Sequence, residues 1–223
     1  MNLRPQLQHG FTLWELLITL LVAGILIGIG VPNVMEFQRN SAMTTAANQL
    51  LTGLIMARTE AVKRQAPVGV CLSANPAAAT PTCSPNAVAD STTLGFVVWV
   101  DENNNFDAAG ARVLTDATDG NGVIDPNELV LMREVPPGGT IRVSANCGNV
   151  SYSPNGFTRT AGALCNPPAG RSILFCDDRG RRLAAGSLSS ARIVTIDRPG
   201  RGLVLTEKAI IDPLIAGTGG TCP

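Results

Sequence analysis

The chain has 223 residues, room for one domain of ordinary size and a separate helical element, and too few for a multi-domain machine. Charged residues are 15% and aromatics 4%, while 23 glycines and 15 prolines punctuate the chain, which points to a turn-rich head of short strands rather than a helical bundle. Basic and acidic residues balance at 17 each, so net charge gives no ground for nucleic acid or an acidic partner.

The first ten residues, MNLRPQLQHG, are polar and carry Arg4. From Leu16 to Met35 no residue is charged, and at ~1.5 Å per residue this run covers about 30 Å, the thickness of a bilayer core. Arg4 should keep the start cytoplasmic and send the C-terminal bulk outward. No small-residue cleavage box follows the run, unlike an ordinary secretory signal. Instead Met43, Ala47, Leu50, Leu54, Ala57 and Ala61 recur at steps of three and four, a narrow apolar stripe on one helix. The helix is predicted from about Phe11 to about Gln65, where Pro67 forces a stop.

Gly10-Phe11-Thr12-Leu13-Trp14-Glu15-Leu16-Leu17, the apolar run and Pro32 together resemble the prepilin motif of type IV pilins and pseudopilins. The resemblance implies cleavage by a prepilin peptidase between Gly10 and Phe11, methylation of the new N-terminal Phe11, and retention of the apolar helix. Trp14 departs from the aliphatic residue more usual there. Glycine at the cut suits a protease that needs close backbone access. Glu15 is a carboxylate at the edge of an apolar run, costly without a partner. The resemblance implies that it pairs with the N-terminal amine of a neighbouring subunit during assembly; the plainer reading is a charge complementing the helix dipole, worth about 0.3–1 kcal/mol. A second stretch, Ala46-Ala47-Asn48-Gln49-Leu50-Leu51 through Met56-Ala57-Arg58-Thr59-Glu60-Ala61-Val62-Lys63-Arg64, is similar to the FimT/FimU and GspH subfamily of minor pilins and the minor pseudopilin.

Beyond Pro67, apolar runs bounded by turn residues read as strands at Val68–Ser73, Leu94–Val100, Leu129–Glu134, Thr140–Ser144, Ser172–Cys176, Ala191–Ile196 and Gly202–Glu207. The expected fold is α+β and pilin-like, a long N-terminal helix, transmembrane then amphipathic, packed on an antiparallel β-sheet head. Its divisions are a leader over 1–10, the helix over 11–66 and a periplasmic head over 67–223. The segment Ala74–Thr93 reads as an exposed excursion.

Six cysteines (Cys71, Cys83, Cys147, Cys165, Cys176, Cys222) lie in the head, none at zinc-ligand spacing, and the lone His9 is far from them. They suit up to three disulfides in an oxidising compartment, with six thiols in a cytosolic protein as the alternative. Of fifteen pairings, Cys71–Cys83 and Cys147–Cys165 would close short local loops, leaving Cys176–Cys222 to fasten the C-terminus.

Charge is unevenly spread. Residues 90–134 hold nine carboxylates against two arginines, a balance of minus seven, and residues 171–208 hold seven arginines and Lys208 against four carboxylates, a balance of plus four. In the acidic stretch, Asp119, Asn121, Asp125 and Glu128 resemble the later part of a calcium loop, but Ala117 stands at the first ligand position and no helices flank it. Either an oxygen-rich loop that takes calcium loosely or a solvated hairpin tip fits. In the basic stretch, turns at one end of a sheet could bring Arg179, Arg181, Arg182, Arg198 and Arg201 onto one surface suited to phosphate. Some FimT-type pilins bind DNA for uptake through a Gly-Arg-x-Arg element. Gly200-Arg201-Gly202-Leu203 matches its first half, with Leu203 in place of the second arginine, and Gly180-Arg181-Arg182 is another partial match. The alternative is a solvated turn paired with Asp177, Asp178 and Asp197.

Nothing points to an enzyme or a cofactor: the one histidine lies in the leader, and neither G-x-S-x-G nor a P-loop occurs. The resemblance implies a minor type IV pilin, a structural subunit for assembly and tip priming with a role in DNA uptake. The alternatives are a GspH-type minor pseudopilin of type II secretion, or a DNA-binding module using the arginine-rich turns. Its partners would be other major and minor pilins or pseudopilins, the prepilin peptidase, the inner membrane and extracellular DNA. The expected location is single-pass in the inner membrane, head in the periplasm, and incorporated into a pilus or pseudopilus.

Overall fold

A computed structural model describes residues 11–85, 87–102, 120–135, 138, 140–159, 170–180 and 188–211. Helix α1 spans Leu13–Arg64, within two residues of the predicted ends. It stops because Gln65 turns to φ 55, a left-handed cap, and Pro67 cannot supply the next helical N–H. Gln65 Nε2 donates to the Val62 carbonyl at 2.6 Å, satisfying one of the last orphan acceptors.

The chain divides into two compact units, Met1–Ser41 and Ala42–Pro223. In the first, the apolar helix presents its side chains outward: an 18-residue window of mean hydropathy 2.3 has none of its residues buried. By length and composition this segment can cross a membrane. An apolar surface of that size left exposed in a soluble protein would be an aggregation site.

In the second unit the rest of α1 packs on nine strands among the described residues: β1 (Val68–Ser73), β2 (Val88–Ser91), β3 (Gly95–Val100), β4 (Val130–Glu134), β5 (Arg142–Ala145), β6 (Asn149–Tyr152), β7 (Arg171–Cys176), β8 (Leu188–Ile196) and β9 (Gly202–Glu207). They form two sheets, β4-β3-β1-β6 and β2-β5-β7-β8-β9. Every pairing is antiparallel. All six residues of the predicted helix stripe are buried, and one apolar cluster joins them to both sheets. The helix can lie close because glycines stand at two contacts. A Cβ on Gly53 would come within 2.6 Å of the Phe96 ring, and one on Gly202 within 2.7 Å of Leu51.

Seven of these strands fall on predicted runs, and β2 and β6 do not. β2 lies inside the segment read as an excursion, where small polar residues carry no period. It pairs with β5 through a register shift beside Asp90, whose φ is 44. β6 is only four residues long. All four of its residues are buried, the polar Asn149 and Ser151 included, so no apolar run marks it in the sequence.

Candidate functional site

At the N-terminus Thr12 and Glu15 form a reciprocal cap. Glu15 N donates to Thr12 Oγ1 at 3.2 Å, and Glu15 Oε2 accepts from Thr12 N at 3.2 Å and from Thr12 Oγ1 at 3.1 Å. The T-x-x-E spacing that produces this capping box was legible in the sequence, where Glu15 was read as an assembly residue or a charge complementing the helix dipole and not as a cap. Phe11, next to the cap, is exposed. Gly10 lies outside the described residues.

Of the arginines predicted to meet, Arg198 and Arg201 share one turn and Arg179 stands apart from them. β7 and β8 are antiparallel, with Arg171 opposite Ile196 and Phe175 opposite Arg192. The turn carrying Arg198 and Arg201 therefore lies beside the start of β7, and Arg179 follows its end. At about 3.3 Å per residue the six-residue strand holds them roughly 20 Å apart. Arg179 is also engaged, its Nε 2.9 Å and its Nη2 2.6 Å from Asp177 Oδ2. Arg201 donates its backbone N–H (2.6 Å) and Nε (2.9 Å) to Asp197. Burial alone would push the Asp197 carboxyl up, but these bonds and the Arg201 charge hold it below its usual range. Arg198 is exposed. Arg181 and Arg182 lie outside the described residues.

The acidic turn is organised around a residue not singled out from sequence. Asp101, at the end of β3, is fully buried; its carbonyl accepts from Gly120 N at 2.9 Å and its Oδ2 from Gly122 N at 3.0 Å. Arg159 Nη1 stands 3.9 Å from the same carboxylate, and Arg159 Nη2 donates to the Gly120 carbonyl at 3.2 Å. Burial pushes the Asp101 carboxyl up to about 6, opposed by Gly122 N–H and Arg159 and reinforced by Asp125. Among the calcium candidates, Asn121 Nδ2 donates to Asp125 Oδ2 (3.0 Å) and Asp125 N to Glu128 Oε2 (2.9 Å), so these oxygens serve the turn itself. Asp119 lies outside the described residues. Among the described residues no group of three carboxylates or other ligating side chains is disposed to hold a metal ion.

Cys71 and Cys83 are bonded to each other, as loop length suggested, and Cys147 and Cys176 each take part in a disulfide as well. Cys165 and Cys222 lie outside the described residues. The excursion closed by Cys71–Cys83 is not loosely solvated. Arg133 Nη1 donates to the Pro76 and Ala78 carbonyls and Nη2 to Ala79, while Asn75 Oδ1 accepts from both Thr82 N and Thr82 Oγ1.

Comparison with known proteins identifies the family. The family model described as "Type II transport protein GspH" matches residues 46–200, which takes in the last third of α1 and most of the head. The chain belongs to the GspH family. A second model, "Prokaryotic N-terminal methylation motif", matches residues 6–31, around Gly10, Phe11 and Glu15. Two crystal structures of the type IV minor pilin FimU from Pseudomonas aeruginosa PAO1 are similar at 16% identity. One match covers 77% of this chain and 92% of that one with a TM-score of 0.39, the other 73% and 91% with a TM-score of 0.36. Among curated proteins none matches the sequence. Membership in the GspH family makes this a membrane-anchored protein of the pilin class, a minor pilin or pseudopilin of a type IV pilus or type II secretion system, whose business is assembly with other such subunits.

Proposed function

We propose that this GspH-family protein is a low-copy filament subunit, cut between Gly10 and Phe11, methylated on Phe11, held in the inner membrane by α1 with its head in the periplasm, and drawn into the filament by Glu15. The observation that carries this reading is the pairing of an outward-facing apolar helix with a carboxylate at its third residue. Among the described residues the Glu15 carboxylate is held by Thr12, at 3.1 and 3.2 Å, and is exposed, so a neighbour's N-terminal amine can displace a weak local bond. An ion pair formed at a lipid boundary is stronger than that cap, because little water competes for either charge.

Glu15→Ala should leave the protein in the membrane fraction and cut its recovery in sheared filaments severalfold. Unchanged recovery would remove assembly from the roles of Glu15. Intact mass of the membrane-extracted protein should correspond to a chain starting at N-methylated Phe11. A chain starting at Met1, or one lacking the apolar run, would overturn prepilin processing.

A further inference from the structure

Around Tyr152 the head gathers guanidinium groups from segments far apart in sequence. Tyr152 is fully buried and its hydroxyl donates to the Gly200 carbonyl at 3.1 Å. Thr158 Oγ1 donates to the Arg198 carbonyl at 2.7 Å, so the turn after β6 lies against the turn between β8 and β9. Gly156 in that first turn seats on α1: a Cβ there would stand 3.4 Å from Arg58 Nε and 3.3 Å from Val62 Cγ2. Arg171 Nη2 donates to the Arg159 carbonyl at 3.1 Å, which ties the start of β7 to the same place. Arg58, Arg159, Arg171, Arg198 and Arg201 thus share one region of the head.

Two described carboxylates accompany them, Asp197 on Arg201 and Asp101 at 3.9 Å from Arg159. Arg58, Arg171 and Arg198 have no carboxylate partner among the described residues. Arg171 is the clearest case: it is 4% exposed, its Nε is buried without an acceptor, and burial lowers its pKa. A guanidinium enclosed with one carbonyl and no counter-charge is an incomplete arrangement, since buried charges are normally paired.

What can be reached from outside is mixed. Arg198 is exposed and Arg58 half-buried, beside Val62 at 46% and Phe157 at 52% exposure. Arginine next to an exposed aromatic is the composition of a protein contact. A phosphate-binding surface needs several free cations in reach, and here Arg201 is already neutralised and Arg159 and Arg171 are turned inward.

We propose that this region docks a carboxylate-bearing segment of a neighbouring filament subunit. An acidic side chain of the neighbour meets Arg58 and Arg198 in the field of the buried Arg171, and an apolar side chain beside it covers Phe157 and Val62. This rests on the reading of the chain as a filament subunit.

The test replaces Phe157 in the full chain with a photo-crosslinking amino acid in the native host, and maps cross-links in isolated filaments by mass spectrometry. The expected cross-link joins another pilin-class subunit within a few residues of an Asp or Glu. It should fall at least tenfold in Arg198→Glu, persist in Arg198→Lys, and return when the mapped carboxylate is changed to Arg. Arg58→Gln, which keeps most of the packing, should lower it as well and guards against misfolding of the charge-reversed variant. Cross-links to DNA alone, to a surface without carboxylates, or insensitive to both substitutions would overturn the proposal while leaving the subunit reading intact. Absence of the wild-type chain from filaments would instead overturn the reading beneath it.

Discussion

Asp101 shows how one residue can set the pH response of the head. Its native carboxyl titrates near 6 against an ordinary 3.8, so between those values the folded state holds more protons than the unfolded chain. Stability contributed by this group is therefore fully present below about pH 4 and lost as pH rises through 6, by roughly 3 kcal/mol at 1.4 kcal/mol per unit. Asp101→Asn keeps an acceptor for Gly122 N and removes the buried charge. It should raise stability at pH 7.5 and flatten the slope between pH 4 and 6, read by urea unfolding of the detergent-solubilised chain alongside the wild type. A second residue-scale prediction concerns Gln65. Its φ of 55 is costly for a side chain with a Cβ and free for glycine. Gln65→Gly should gain about 0.5–1 kcal/mol, less whatever the bond to the Val62 carbonyl contributes, and a fall in Tm would show that the bond outweighs the strain.

At the scale of elements, close approach is governed by missing side chains. Gly69 of β1 sits opposite Trp99 of β3, and a Cβ there would meet the indole at 2.4 Å. Trp99 is fully buried and cannot swing into solvent. Gly69→Ala should therefore cost about 1–3 kcal/mol from overpacking, outweighing the gain of at most about 1 kcal/mol in strand propensity. The measurement is the thermal midpoint together with near-UV circular dichroism from the tryptophan, and an unchanged spectrum with a higher midpoint would refute the packing argument. Elements were also where the sequence was most readable. The steps of three and four from Met43 to Ala61 gave the buried face of α1, because a helix repeats its own face without help from elsewhere. β2 and β6 were unreadable, because four residues supported by neighbours in space carry no period of their own.

For the whole molecule, the disulfides do part of the work of a small core. Cys71 and Cys83 are 12 residues apart, and closing such a loop is worth about 2–4 kcal/mol, mainly through the unfolded state. The double variant Cys71→Ser, Cys83→Ser should lose that much in urea unfolding and expose 74–82 to limited proteolysis. Resistance equal to the wild type would mean that Arg133 and Asn75 hold the segment unaided. The arginines teach a different lesson at this scale. The expectation that their turns share one end of a sheet grouped Arg198 and Arg201 with Arg179, whereas antiparallel pairing sends consecutive turns to opposite ends. Packing placed Arg198 and Arg201 beside Arg58, Arg159 and Arg171, and no local signal marks those three as neighbours.

The sequence by itself determined the anchor: the apolar run, the cap at Thr12 and Glu15, the helix stripe and its end at Pro67 all follow from spacing along one continuous helix, where each residue's neighbours are set by the chain. Tertiary structure alone decided the division into two sheets, the burial of Asp101 and the company of Arg171. Those depend on strand register and on contacts between residues tens of positions apart, which the order of residues constrains only through the energy of the whole fold.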